Sequence, residues 1–158
     1  MNYIIRSGGQ SGVDRAALDS AIKLGFKITG WCPKGGWAED YVKSPGLLLN
    51  YPQLKETPLK EVSQRTEWNV RDSDVTLIFG AQHTSKGTQF TVELCKKFNK
   101  PYFVIKNETP KEVYVWLKKI NDVKDINIAG PRESEAIGIY SRAYHFITNL
   151  LLLLKSAN

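Results

Sequence analysis

The chain has 158 residues, 42% of them hydrophobic, and a net charge of +6; that length supports one sizeable core and is short for two, so a single domain over residues 1–158 is expected. Cys32 and Cys95 lie far apart, with neither a C-x-x-C pair nor histidine at zinc spacing, which excludes a disulfide framework and a zinc finger and fits a reduced, cytoplasmic setting. The longest apolar run, Leu150 to Leu154, is too short to span a bilayer and no signal-like start is visible, so no membrane partner is expected; the positive balance suits an anionic ligand, although solvated lysines produce it equally well.

The first apolar stretch, Tyr3-Ile4-Ile5, runs into Ser7-Gly8-Gly9-Gln10-Ser11-Gly12-Val13-Asp14-Arg15 and then a helix from Ala16 to Leu24. Glycines let backbone approach a ligand, and the first amides of a helix have no internal partner, so this strand–turn–helix is a candidate phosphate cradle. Its spacing matches neither the dinucleotide fingerprint nor the P-loop. Gly25 stops the helix, and Lys27 to Trp31 reads as a second strand, parallel to the first. From Cys32 to about Pro58 the pattern loses periodicity, and a loop of that length with Trp37 in it is expected to pack and shape a pocket. A charged helix over Glu61 to Arg71 precedes the strand Val75–Phe79.

Gly80 to Thr88 forms a second polar junction, containing Thr84, Ser85, Lys86, Gly87 and Thr88, before a helix from Gln89 to Phe98. Lys100–Ile105 is the next strand, with Pro101 near its start. Thr109-Pro110 caps a helix whose Val113, Trp116, Leu117 and Ile120 recur at helical spacing. Asp125–Gly130 is the last strand; it ends in Gly130-Pro131-Arg132-Glu133-Ser134, and a final helix from about Glu135 or Ile139 runs to Leu154. Strands alternating with helices predict an α/β, Rossmann-like, open and mostly parallel sheet with helices on both faces. The loops after Ile5, Phe79 and Ile128 all leave carboxyl ends of strands and are expected to converge on one crevice.

Ser7–Asp19, Gly30-Trp31-Cys32-Pro33-Lys34-Gly35 with Ala38-Glu39-Asp40, Arg65–Asp74 and Asn127–Ser134 together resemble the molybdenum cofactor carrier family over nearly the whole chain. That family is similar to a circularly permuted branch of the Rossmann-like superfamily that holds lysine-decarboxylase-like phosphoribohydrolases and DNA-processing proteins. The resemblance implies a nucleotide-type phosphate site, a non-enzymatic carrier role for molybdenum cofactor (molybdopterin) or a related phosphorylated ligand, and a homo-oligomer, dimer or tetramer. Two departures stand out. Lys86-Gly87-Thr88 replaces the relatives' Gly-Gly-Thr, and Phe90 and Thr91 stand where the phosphoribohydrolases place glutamates; the next acid is Glu93, which leaves sugar–base hydrolysis unsupported and the catalytic set empty.

The binding set is therefore Ser7, Gly8, Gly9, Gln10, Ser11, Gly12, Asp14 and Arg15 in the first loop, Lys34, Arg65 and Asn69, then Thr84, Ser85, Lys86, Gly87 and Thr88, and Gly130, Pro131, Arg132, Glu133 and Ser134. Lys34, Arg65, Arg71, Lys86 and Arg132 are the candidate phosphate cations. Arg65 and Asn69, four apart, share a helix face, and a similarly spaced pair lies beside the glycine loop in the DNA-processing relatives. Asp14 is expected to order Arg15 or the loop. Thr84, Ser85, Thr88, Glu133 and Ser134 serve either as ligand donors or as helix caps. Trp31, Trp37 and Trp68 are a candidate stacking wall, while Trp116 reads as core. His83 and His145 have no metal-spaced acids, so no metal is expected. The Leu150–Leu154 run is either buried or an interface between subunits, with the interface favoured. Competing readings are a phosphoribohydrolase-like enzyme and a nucleotide-signal or single-stranded nucleic-acid binder; nucleic acid is not favoured.

Overall fold

The computed structural model describes residues 3–80 and 86–157. Strand β1 (Ile4–Arg6) feeds helix α1 (Val13–Lys23), which returns to β2 (Lys27–Thr29) in parallel with β1. The predicted second strand breaks at Gly30, where the chain passes so close to the Ser7 backbone that a Cβ would collide with it. The chain bends at that point, and β3 (Trp31–Cys32) joins β4 (Lys55–Glu56) in a separate two-stranded sheet. The long segment between β3 and β4 holds one short helix, α2 (Leu47–Asn50), and buries Ala38, Leu47, Tyr51 and Leu54, so it packs as expected.

Helix α3 (Val62–Asp72) leads into β5 (Val75–Phe79), α4 (Lys86–Lys97) into β6 (Tyr102–Ile105), and α5 (Pro110–Lys118) into β7 (Asp125–Ala129), before the closing helix α6 (Ile139–Ser156). Thr109 caps α5 in a full capping box with Glu112 and has Pro110 behind it, as its sequence predicts. The main sheet is parallel throughout, in the order β2-β1-β7-β5-β6. Side chains alternate across it: Val75, Leu77 and Phe79 of β5 join the large core under α1, α5 and α6, while Ile78 faces the smaller cluster formed with Val70 of α3 and Leu94 and Cys95 of α4. The Rossmann-like expectation, with helices on both faces, is borne out.

The apolar run of α6 corrects the interface expectation. Leu150, Leu151 and Leu154 continue the stripe of Ile139, Ala143 and Ile147 into the chain's own core, leaving Leu152 as the residue of the run that is openly exposed. An 18-residue helix packed along α1 places the run at its buried end. Among the described residues, no helix is long and apolar enough to cross a membrane.

Candidate functional site

The shortness of β1, β5 and β7 matters because each stops at the same edge of the sheet and hands the chain to a polar segment. Gly8 and Gln10 follow β1, Lys86, Gly87 and Thr88 open the helix after β5, and Gly130, Pro131 and Arg132 follow β7; all border one cavity of 510 Å³. Its floor comes from Ile78, Asn127 and Ala129, and α3 closes one side with Arg65 and Asn69. The loops after β1 and β7 converge as expected, together with the start of α4, while residues 81–85 of the second junction lie outside the described residues.

Within the first loop the residues divide by direction. Gly8, Gln10 and Asp14 reach the cavity, whereas Ser7, Gly9, Ser11, Gly12 and Arg15 hold the loop together. Ser7 Oγ donates to the Asp14 carbonyl at 2.8 Å and accepts from the Gly9 amide at 3.2 Å. Arg15 turns away from the cavity, donates both guanidinium ends to Asp40 at 2.9 Å, binds the Gly9 carbonyl, and lies over Tyr41. Asp14 orders the loop, as expected, and pairs with Arg65 in place of Arg15: its Oδ2 accepts from the Gln10 amide at 3.3 Å and from Arg65 Nη1 at 2.6 Å. Burial raises the Asp14 carboxyl above its ordinary range, against the pull of Arg65. Arg65 Nε is fully enclosed and has no hydrogen-bond partner among the described residues.

Three of the five candidate cations, Arg65, Lys86 and Arg132, border the cavity. Lys34 instead borders a neighbouring cavity, and Arg71 pairs with Asp72 at 2.6 Å beside Trp68. Arg132 is balanced by Glu135 at 2.7 Å. Asn69 lines the wall, but its amide is spent on Trp31, accepting from the backbone N–H at 2.8 Å and donating to the carbonyl at 2.9 Å. Lys86, Gly87 and Thr88 form the first turn of α4 rather than a loop ahead of it, since the helix begins three residues earlier than its apolar spacing implied. His83, Thr84 and Ser85 lie outside the described residues.

Glu133 takes the capping alternative, accepting from the Gly138 and Tyr140 amides at 2.5 and 2.9 Å at the start of α6. Ser134 donates to Glu39 Oε2 at 2.6 Å, and Ser11 Oγ donates to the same carboxylate, so Glu39 ties the first loop to the third. Burial alone would raise the Glu39 carboxyl, but the hydrogen bonds of Ser11 and Ser134 and the charge of Arg132 hold it below its ordinary 4.5. A depressed carboxylate stabilises the fold above its unfolded pKa and loses that contribution as pH falls through the folded value. Glu39→Gln is therefore expected to be less stable than wild type at neutral pH and to converge with it in acid below 4.5, read from urea midpoints across pH.

The tryptophan wall does not form at this cavity. Trp31 and Trp68 pack edge to face at 4.7 Å, with Trp31 Nε1 donating to Asp72, and Trp37 borders the neighbouring cavity. Phe90 supplies the aromatic surface instead, with Val62 and Pro131. Sequence reasoning missed Val62 and Thr66, which share the Arg65–Asn69 face by helical spacing, and Asn127, a polar residue inside an apolar strand. Glu39, within Ala38-Glu39-Asp40, carries no sequence signal for the bonds it makes. Phe90 and Thr91 line the cavity where the phosphoribohydrolase glutamates would stand, and Glu93 is exposed elsewhere on α4. Among the described residues, no group of three His, Cys, Asp or Glu side chains could hold a metal.

Residues 5–151 match the model of the circularly permutated YpsA SLOG family. A crystal structure of a "Putative molybdenum carrier protein" from Syntrophus aciditrophicus is 35% identical, superposes with a TM-score of 0.82, and matches over 94% of each chain. Two (E)-4-hydroxy-3-methyl-but-2-enyl diphosphate reductase structures, the second from Plasmodium falciparum, share 12% and 14% identity at TM-scores of 0.36 and 0.37. They match over 90% and 97% of this chain and 59% and 52% of their own, a likeness too slight to bear on function. No curated protein matches.

Proposed function

The chain belongs to the circularly permutated YpsA SLOG family, and from that premise we propose that it binds and carries, without altering it, a small phosphorylated ligand: molybdenum cofactor or a related phosphorylated pterin or nucleotide. The observation that supports this most is the gathering of Gly8, Gly87 and Gly130 with Arg65, Lys86 and Arg132 around one cavity at the carboxyl edge of the sheet. Backbone that approaches closely, a helix start and three cations suit a phosphate group. A volume of 510 Å³ accommodates a mononucleotide or a pterin phosphate. Within this reading the phosphate end of a molybdenum cofactor is the part the protein grips, since the described residues offer phosphate donors and no cluster of metal ligands.

The non-catalytic half of the proposal rests on the acids. Asp14 is committed to Arg65 and Glu135 to Arg132, so neither is a free carboxylate for proton transfer. Isothermal titration with AMP, GMP and molybdopterin is expected to show saturable binding, weakened about tenfold by Lys86→Ala and by Arg132→Ala through loss of one charge-assisted contact each. No uptake of any of the three would remove the proposal, and release of free base from the nucleotides would replace it with the hydrolase reading.

A further inference from the structure

A second cavity, of 420 Å³, stands beside the first, and Val62 at the start of α3 borders both. Its chemistry differs. Trp37, half-buried, and the exposed side chains of Val42 and Val62 make an apolar surface, and Lys34 and Lys60 stand at it as cations. Among the described residues no acid borders it; Glu56 lies near, but it accepts from the Gly35 amide at 2.7 Å and is not part of the lining. An indole and two ammonium groups lining one cavity suit a flat aromatic ring attached to an anionic group.

We propose that the two cavities form one elongated site for a ligand of two ring systems joined through phosphate, with one ring and its phosphate in the first cavity and the second ring on Trp37, Lys34 and Lys60 facing the linking anion. This rests on the reading of the first cavity as a phosphate site. Val62 lines both cavities and its side chain is exposed, so a ligand laid across it reaches from one to the other, and the charge argues against a second copy of the chain as the occupant. Another molecule with a net charge of +6 would bring like charge toward Lys34 and Lys60, whereas a diphosphate neutralises them.

The test is isothermal titration of the full chain with three probes: AMP, ADP and diadenosine diphosphate. The dinucleotide is expected to bind at least about tenfold more tightly than ADP, because the second ring binds as a tethered group. Trp37→Ala should remove that advantage, with the loss confined to the dinucleotide. The double charge reversal Lys34→Glu with Lys60→Glu, made at exposed positions, should do the same and serves as the second arm should the tryptophan variant fail to fold. Equal affinity for ADP and the dinucleotide, with AMP bound, overturns the two-part site and leaves the first-cavity reading standing. An advantage that survives both variants overturns it as well. Failure of all three probes to bind overturns the two-part site, and failure of GMP and molybdopterin along with them overturns the underlying reading as well. A concentration-dependent dimer in sedimentation that Trp37→Ala dissolves assigns the second cavity to another copy of the chain and overturns the ligand proposal.

Discussion

Arg65→Ala is expected to abolish measurable mononucleotide binding and to lower stability by about 3–5 kcal/mol, a fall in Tm of about 10 °C for a chain of this size. Both effects follow from one contact. Arg65 Nη1 lies 2.6 Å from Asp14 Oδ2, with side-chain exposures of 13% and 5%, so removing the guanidinium strands a carboxylate in the wall of the cavity. The stranded charge would repel the phosphorylated ligand proposed for this cavity. The destabilisation carries a pH signature. Burial already raises the Asp14 carboxyl above 3.8, and an acid raised in the folded state costs stability as pH climbs from its unfolded value through the folded one. Without Arg65 that window extends further upward, so the variant should lie nearest wild type in acid and furthest from it at neutral pH and above. Urea denaturation of both proteins across pH reads this directly. Arg65→Lys, which keeps a charge and loses the planar fork, should retain part of the stability and little of the binding. Equal midpoints at every pH would show that the Asp14 pair does not hold the wall.

Gly12→Ala should be nearly as damaging although it adds one methyl group. Gly12 sits at φ 76° and ψ −129°, backbone that side-chain-bearing residues avoid. A Cβ there would stand 2.8 Å from the Arg132 carbonyl carbon and the Glu133 amide nitrogen, and closer still to the Pro131 oxygen. Those atoms are held in place: Val13 donates its amide to Pro131 at 3.1 Å, and Glu133 donates to Ser11 Oγ at 3.1 Å. Strain and overpacking together are expected to cost about 2–5 kcal/mol. The third loop would also be pushed off the first, separating Arg132 from Gly8 and Gln10 and weakening AMP binding. Gly25→Ala is the control. Gly25 has the same φ of 76° but nothing within 4 Å of its Cβ position, so only the backbone term remains, about 1–2 kcal/mol, with binding intact. Similar thermal shifts for the two variants would show that the loop contact at Gly12 carries no weight.

Much of the site was legible because it depends on backbone. Glycine and helix-start residues at strand ends announce where the main chain turns, and in a parallel sheet those ends share an edge, so Gly8, Gly87 and Gly130 could be placed together before any coordinates. Arg65 was legible through its spacing from Asn69, and the capping of α5 through Thr109 and Glu112. Arg15, Lys34 and Arg71 were not, because a long side chain goes to whichever partner the tertiary fold brings near. For Arg15 that partner is Asp40, 25 residues away in a segment with no periodicity to reveal its course.

The sequence by itself determined the α/β alternation, the parallel sheet and the edge at which the cavity opens, since these follow from local periodicity, turn chemistry and the handedness of crossovers. Only the tertiary structure decided which charges face that edge, that Glu39 joins two of its loops, and that the leucines of α6 lie inside the chain. Those outcomes depend on contacts between segments remote in sequence, and direction in space is not written in spacing along the chain.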